Sequence, residues 1–280
     1  MKFLVRSIFT VLLFFLSLSC SKDDNEASLI QEVNQKQEMI SAYSEGIKNL
    51  EEGDAFFAAK KFLEAELLFP QSDWASKSAL MASYSYYIQD YYSEAIFNLE
   101  RFIKTYPKDY RMDYAHYLMA LCYYEKIIDE KKDLEPLIYA KREFNYVMNN
   151  YPNTDFALDS KFKVDLIDEV MASKEMYIGR HYIKKEKWIP AINRFKNILK
   201  DYETTIYSEE AIHRLVEIHY RIGLESEAKK YAGLLGYNYL SGEWYKKSYK
   251  IFNKKYETNR IKRKKNINKD GLIKKFKKLF

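Results

Sequence analysis

Two cysteines and four histidines are the side chains of this 280-residue chain whose types best suit nucleophilic or metal chemistry. Cys122 lies in the apolar stretch HYLMALCYY without an evident basic partner, so we expect a small buried core residue and not a nucleophile. His213 and His219 are six residues apart, which places them on different sides of a helix and not on one face as metal ligands. The sequence also lacks a glycine-rich phosphate loop and a serine-nucleophile elbow. It therefore predicts a protein without a catalytic residue, a cofactor or a metal site.

Cys20 suits a different reaction, the attachment of lipid. Lys2 and Arg6 precede an apolar run over residues 8–18, which is too short for a good membrane span. The run ends in Leu-Ser-Leu-Ser-Cys, which resembles a bacterial lipobox and implies cleavage before Cys20 and diacylation of Cys20. Two acyl chains would hold the protein stably on a membrane. The alternative is a simple signal peptide followed by an incidental cysteine.

The residues around this cysteine also bear on localisation. We expect residues 1–19 to be a lipoprotein signal peptide and residues 20–38 to be a polar tether. Ser21 is typical of sorting to the outer membrane and not of retention in the inner membrane. The Lys-Asp-Asp run at residues 22–24 resembles a surface-export signal. We therefore expect a lipid anchor in the outer membrane, at its periplasmic face, with surface exposure as the alternative.

One helical pattern recurs along the rest of the chain. In four stretches an alanine is followed twelve residues later by a closing position, which is proline in the first three, and a weaker fifth copy follows. The opening alanines, which we assign to repeat packing, are Ala58, Ala95, Ala140, Ala191 and Ala228. In the four clear copies, apolar residues follow four and seven positions later and make one face of an α-helix, and the small alanine lets a partner helix approach closely. A proline then prevents the helix from continuing.

Each copy is preceded by a second helical stretch, in which small residues such as Gly46 and Gly179 occupy the close-packing position. This register resembles the tetratricopeptide repeat. The sequence therefore predicts an all-α fold, a superhelical array of about five tetratricopeptide-like helical hairpins over residues 39–250. The opening alanines are 37, 45, 51 and 37 residues apart. The two long intervals predict a charged insertion at residues 129–136 and a long helix from about residue 155 to residue 185.

Tyrosines on the first helix of a hairpin are the candidate binding residues of such an array. Stacked hairpins form a concave groove that the first helices line, and grooves of this kind bind extended peptides or protein domains. Aromatic side chains are common anchors at interfaces. The sequence thus offers Tyr84, Tyr87 and Tyr117 as partner-binding residues.

The C-terminal tail, residues 251–280, differs in charge from the array. Residues 254–280 carry a net charge of +10, whereas the whole chain carries +6. The last ten residues, GLIKKFKKLF, would put apolar side chains on one helical face and lysines on the other. An amphipathic helix at an anionic membrane or on a partner is one interpretation, and a solvated tail is the other. We do not expect nucleic-acid binding, because an exported lipoprotein would not meet nucleic acid.

Several stretches carry a likeness to a known family, among them YSEGIKNLEEGDAFFAAKKFLEAELLFPQSDWA, DYAHYLMALCYY and IGRHYIKKEKWIPAINRFKNILKDY. With the order of the features above, they resemble the BamD family of outer-membrane protein assembly lipoproteins over roughly residues 40–240. The resemblance implies a non-enzymatic scaffold at the periplasmic face of the outer membrane. Its implied partners are the barrel insertase, whose periplasmic domains it holds, other assembly lipoproteins, and unfolded barrel precursors.

The resemblance also implies roles for individual residues. Asn193 and Arg194 match the family's motif in repeat four and would contact the insertase. Phe69 falls where the family has a tyrosine in its substrate-handling half, so the hydroxyl is lost here. The alternatives are a repeat lipoprotein that scaffolds other cell-envelope or cell-wall proteins, a glycan-capturing surface lipoprotein, and a wall-cleaving enzyme on a helical scaffold. The chain is short for a glycan-capturing lipoprotein of this kind and has no room for the catalytic domain of a wall-cleaving enzyme.

Overall fold

The computed structural model describes residues 24–70, 72–126, 134–240 and 242–253. These residues form helices and no strand, which confirms the all-α prediction. The helices are α1 (Asp24–Glu51), α2 (Ala55–Leu68), α3 (Asp73–Tyr87), α4 (Tyr92–Thr105), α5 (Met112–Glu125), α6 (Glu135–Asn150), α7 (Asp155–Lys184), α8 (Trp188–Asp201), α9 (Tyr207–Arg221), α10 (Glu225–Asn238) and α11 (Glu243–Phe252). Cys20, the signal peptide, most of the charged insertion and the tail beyond residue 253 lie outside the described residues.

The chain divides into two compact units, residues 1–126 (unit 1) and residues 127–280 (unit 2). In unit 1, helices α1 to α5 pack each against its neighbour in sequence. In unit 2, helices α7 to α10 do the same, α6 packs on α7, and α11 packs on α9 and α10. The opening alanines of all five repeats are fully buried. None of the described helices combines the length and the apolar character that a membrane crossing needs.

A phenylalanine packed against a glycine forms the centre of a hairpin in each unit. In unit 1, Phe62 on α2 is fully buried beside α1, and a Cβ built on Gly46 would lie 2.8 Å from its ring. In unit 2, a Cβ built on Gly179 of α7 would lie 2.6 Å from the fully buried ring of Phe195 on α8. The predicted close packing at these two glycines is therefore confirmed.

The tight turns inside four hairpins share one backbone feature. Each contains a residue with positive φ, five positions before the opening alanine of the repeat. These residues are Gly53 (85°), Asp90 (63°), Glu186 (55°) and Gly223 (84°). Glycine adopts this left-handed conformation without steric cost, whereas a residue with a Cβ is destabilised there by about 1–2 kcal/mol. Two of the four turns therefore carry backbone strain.

Glu66 links α2 to α4 through a buried polar cluster. Its carboxylate accepts hydrogen bonds from both terminal nitrogens of Arg101, at 2.6 and 2.7 Å, and from the hydroxyl of Tyr106 at 2.8 Å. A carboxylate paired side by side with a guanidinium is among the stronger polar contacts in proteins. This cluster fixes the register of α4 against α2.

Asp109 fixes the turn between α4 and α5 against α3. Its carboxylate accepts from Nε of Arg111 at 2.8 Å, and Arg111 also donates to Oγ of Ser76 on α3 at 2.7 Å. Burial alone would raise the pKa of the Asp109 carboxyl, but hydrogen bonds from Arg111 and Ser76 outweigh it and lower the pKa to about 2. Asp109 is therefore ionised throughout the neutral and mildly acidic range.

Helical structure extends beyond the predicted repeats at both ends of the array. Helix α1 begins at Asp24, so most of residues 20–38, the segment interpreted as a polar tether, is helical. The reason is its composition of strong helix formers, such as Glu, Leu and Gln, which outweighs the missing apolar face. At the other end, α11 is a helix that the repeat pattern does not predict. It runs to Phe252, two residues into the expected tail.

Candidate partner-binding surfaces

Arg194 and Asn193 lie on α8, the second helix of the fourth repeat. Ala191, Phe195 and Ile198 turn inward from this helix and are fully buried. Asn193 is exposed, and the side chain of Arg194 keeps 38% of its surface exposed. The two residues are thus presented at the protein surface by a helix whose opposite face is fixed in the core of unit 2.

A carboxylate from the preceding helix holds the guanidinium of Arg194. Nη1 of Arg194 donates to Oε1 of Glu175 on α7 at 2.8 Å, and Nδ2 of Asn197 donates to Oε2 of the same carboxylate at 3.0 Å. The family resemblance indicated Arg194 but not Glu175 or Asn197. Only Asn197, one helical turn after Arg194, could have been found from the sequence. We call Glu175, Ile189, Asn193, Arg194 and Asn197 the α8 surface.

The α8 surface combines a positioned charge with an exposed apolar residue. Ile189 precedes Asn193 by one turn on the same face of α8, and 64% of its surface is exposed. Because Glu175 orients the guanidinium, less side-chain entropy is lost when Arg194 donates to an acceptor on a partner. Chemically, this arrangement can bind a protein surface that offers an acidic or carbonyl oxygen beside an apolar side chain.

The aromatic candidates of unit 1 are packed more deeply than α8 surface residues. Phe69 ends α2 and packs on the cluster formed by Met39, Ala42 and Ala65. Tyr84, Tyr87 and Tyr117 are half-buried. Burial and the charge of Glu125 raise the pKa of Tyr87, whose ring lies 6.0 Å from that of Tyr92. Each of these four aromatic residues therefore contributes to packing and offers only part of its surface to a partner.

The sequence interpretation missed a group of more exposed aromatics in unit 1. Phe56 at the start of α2 packs edge-on against Tyr86 and Tyr91, with ring centroids 6.1 and 6.3 Å apart. Phe56 and Tyr91 are both exposed. Phe56 lies two residues before the opening alanine, and an aromatic side chain off the packed face was the signal that could have revealed it. We call Phe56, Tyr86 and Tyr91 the aromatic patch.

Cys122 and His213, two of the residues considered for chemistry, are buried. Burial raises the pKa of the Cys122 thiol to about 12, so it stays protonated at neutral pH. Among the described residues, no group of three or more His, Cys, Asp or Glu side chains could hold a metal ion. His213 faces α11 instead, where its Nδ1 lies 2.8 Å from Oγ of Ser248.

The fold, with side chains exposed on its helices, defines a class: a helical-hairpin repeat protein. A family model described as "YfiO: Outer membrane lipoprotein" matches residues 35–234. The chain belongs to this family.

Among its relatives is the outer membrane protein assembly factor BamD of Caulobacter vibrioides, which is 39% identical over 75% of this chain and 69% of that protein. BamD of Rickettsia prowazekii is 40% identical over 76% of this chain and 85% of that protein. BamD of Neisseria gonorrhoeae is 28% identical over 74% of this chain and 80% of that protein. A solved tetratricopeptide repeat protein from Parabacteroides merdae aligns with 77% of this chain and 74% of its own, at 14% identity and a TM-score of 0.35. A similarity at that level adds nothing to the description of the fold.

Proposed function

We propose that this chain is a non-catalytic scaffold lipoprotein of the outer-membrane β-barrel assembly machinery. It binds the periplasmic domains of the barrel insertase, works beside other assembly lipoproteins, and receives unfolded barrel precursors. The observation that carries the proposal is the identity of 39–40% with two proteins named as outer membrane protein assembly factors, over three quarters of this chain. The matched region contains both the α8 surface and the aromatic patch.

The α8 surface is the proposed contact with the insertase. Its supports are the exposure of Asn193 and Ile189 and the guanidinium of Arg194, which Glu175 holds in place. An oriented arginine beside an apolar side chain is a common anchor of protein interfaces. Unfolded precursors expose apolar side chains, and the aromatic patch, with the partly open surfaces of Phe69, Tyr84, Tyr87 and Tyr117, is the proposed place where unit 1 meets them.

The proposed anchor is the acylated Cys20, which would place the protein at the periplasmic face of the outer membrane. Its support is the lipobox-like sequence before Cys20 together with the membership in an outer-membrane lipoprotein family. Replacement of Cys20 by alanine should abolish labelling with radioactive palmitate and release the protein from the membrane fraction. Unchanged labelling would refute the assignment.

The central experiment is affinity purification from detergent-solubilised outer membranes with the unaltered protein and two charge-reversal variants. Arg194→Glu should reduce the recovered insertase at least about tenfold, because the contact becomes repulsive. Lys200→Glu is the matched control, since Lys200 lies on the same helix with 80% of its side chain exposed. Circular dichroism and urea unfolding of both variants check the fold, because Arg194→Glu replaces the ion pair with Glu175 by two neighbouring carboxylates.

Equal recovery with Arg194→Glu and Lys200→Glu would remove Arg194 from the interface. Recovery of no insertase even with the unaltered protein would refute the proposed function. If other envelope or cell-wall proteins were recovered in its place, the alternative scaffold function would be supported.

A further inference from the structure

The last described helix, α11, is fixed by one face only. Ser248 is buried against His213 of α9, the ring of Trp244 lies 5.0 Å from the His213 ring, and Phe252 meets Tyr220 edge-on at 5.4 Å. Burial lowers the pKa of His213 to about 4, so this contact is formed by a neutral imidazole at neutral pH. The remaining face of α11 has a fixed orientation in unit 2.

That remaining face carries lysines and partly open aromatic rings. Lys247 is exposed, with its Nζ 3.7 Å from the centroid of the Trp244 ring. Lys246 and Lys250 are half-buried, and Tyr249 is exposed. Glu243 is the one acidic residue of this helix. The helix therefore presents an excess of positive charge next to aromatic surface.

The end of α10 and the loop after it add exposed apolar surface to the same part of unit 2. Tyr237 is 87% exposed and Leu240 is 70% exposed, although both are large side chains. Gly236 lies beside the ring of Tyr245, and a Cβ at this glycine would be 3.2 Å from that ring. This contact joins the end of α10 to α11. We call Tyr237, Leu240, Lys246, Lys247, Tyr249 and Lys250 the C-terminal surface.

We propose that the C-terminal surface binds the anionic headgroups of a phospholipid bilayer. Tyrosine and leucine beside lysine suit the boundary between headgroups and acyl chains, where rings and stems are buried while charges stay in water. Positive charge alone would suit any polyanion, but the exposed apolar residues favour a membrane over an acidic protein or a nucleic acid. The contact is independent of the insertase and of the lipid on Cys20.

Charge complementarity and the continuation of the chain also support an anionic bilayer as the partner of the C-terminal surface. Asn253 leads directly into residues 254–280, which carry a net charge of +10, while residues 1–253 sum to −4. Basic residues near an anionic surface bind additively, about fivefold in partitioning for each lysine or arginine. A chain already tethered to a membrane needs only weak further attraction, because the tether raises the effective concentration of the surface.

The test uses the chain from Ser21 to Phe280, which keeps every described residue and omits the acylation site. Its cosedimentation is measured with vesicles of phosphatidylcholine alone and with vesicles in which about a third of the lipid is phosphatidylglycerol. We expect binding to the anionic vesicles only. Binding should weaken as salt rises, because the Debye length falls from about 10 Å at 0.1 M to about 3 Å at 1 M.

Variants then separate the C-terminal surface from the tail. Replacement of Lys246, Lys247 and Lys250 by glutamine should lower partitioning at least about tenfold. Replacement of Tyr237 and Leu240 by serine should also weaken binding without changing its dependence on salt. Both sets leave residues 254–280 in place. The matched control replaces three exposed lysines of unit 1, Lys60, Lys104 and Lys108, by glutamine and should bind as the unaltered chain does.

Three results would overturn the proposal. One is no binding to anionic vesicles at low salt. Another is the same loss of partitioning in the α11 variant and in the unit 1 control, which would reduce the effect to net charge. The third is binding to polyglutamate as tight as binding to anionic vesicles, which would make the partner an acidic polypeptide and not a membrane.

Discussion

Replacement of Gly179 by alanine should destabilise unit 2, although alanine is the better helix former. The added Cβ would lie 2.6, 2.7 and 3.2 Å from three atoms of the Phe195 ring. The ring is fully buried and packs with Met176, Ala191 and Leu215, so it cannot move outward. Overpacking of this kind costs about 1–3 kcal/mol.

The helix preference works in the opposite direction and is smaller. Alanine is favoured over glycine inside a helix by about 0.5–1 kcal/mol. The net loss should therefore be about 1–2 kcal/mol, which lowers the melting temperature by roughly 3–8 °C for a unit of this size. The assay is urea unfolding followed by circular dichroism, with the slope of the transition checked for constancy.

Gly233 supplies the matched control for this prediction. It also lies inside a helix, α10, but a Cβ there would meet nothing within 4 Å. Gly233→Ala should therefore stabilise the protein by about 0.5–1 kcal/mol. Phe195→Leu should relieve the clash with the added Cβ. The double variant Gly179→Ala/Phe195→Leu should therefore lose less stability than the sum of the losses in the two single variants. Equal stabilities of Gly179→Ala and Gly233→Ala would refute the packing argument.

Three further substitutions test the turns and the buried charges. Glu186→Gly should raise the free energy of unfolding by about 1 kcal/mol, because it removes a Cβ from a positive-φ residue; unchanged urea unfolding would show that the turn is not strained. Because the folded pKa of Asp109 is about 2, below the ordinary value of 3.8, its ionised form stabilises the fold above about pH 4, and this contribution is lost as the pH falls towards 2. Asp109→Asn should lower stability at pH 7 by up to about 2 kcal/mol and flatten its decline between pH 4 and pH 2, and an unaltered decline would contradict the assignment. Glu66→Ala should cost about 2–4 kcal/mol in the same unfolding assay, because it leaves Arg101 without its paired carboxylate; a cost as small as that of Lys48→Ala, which removes an exposed ion pair, would contradict this.

The repeat could be predicted from the sequence because its packing requirement falls on side chains at fixed intervals. One continuous stretch of sequence contains the alanine, the larger apolar residue four positions later and the proline at the end. Together they specify one face of one helix. The long α7, from Asp155 to Lys184, followed from the interval between Ala140 and Ala191. The positive φ of Asp90 and Glu186 did not follow, since both residues carry a Cβ, unlike Gly53 and Gly223, for which this conformation is ordinary.

What the sequence could not supply is the pairing of polar groups between helices. Helix α11 was missed because no alanine-to-proline pattern marks it, and its attachment depends on a contact of His213 with Ser248, 35 positions apart. The same holds for the candidate site. Arg194 was indicated by the family resemblance, but its orientation depends on Glu175, nineteen positions earlier on another helix.

The pairing with Glu175 changes what a substitution at Arg194 can prove. A loss of binding in Arg194→Glu has two possible causes, repulsion by the partner or rearrangement of the α8 surface around Glu175. Glu175→Gln separates them, because it leaves the charge of Arg194 in place while weakening the contact that orients it. If orientation matters, Glu175→Gln should weaken insertase binding by about three- to tenfold, less than the charge reversal does. If Glu175→Gln has no effect while Arg194→Glu abolishes binding, the charge of Arg194 acts without the clamp, and the preorganisation argued for the α8 surface is wrong.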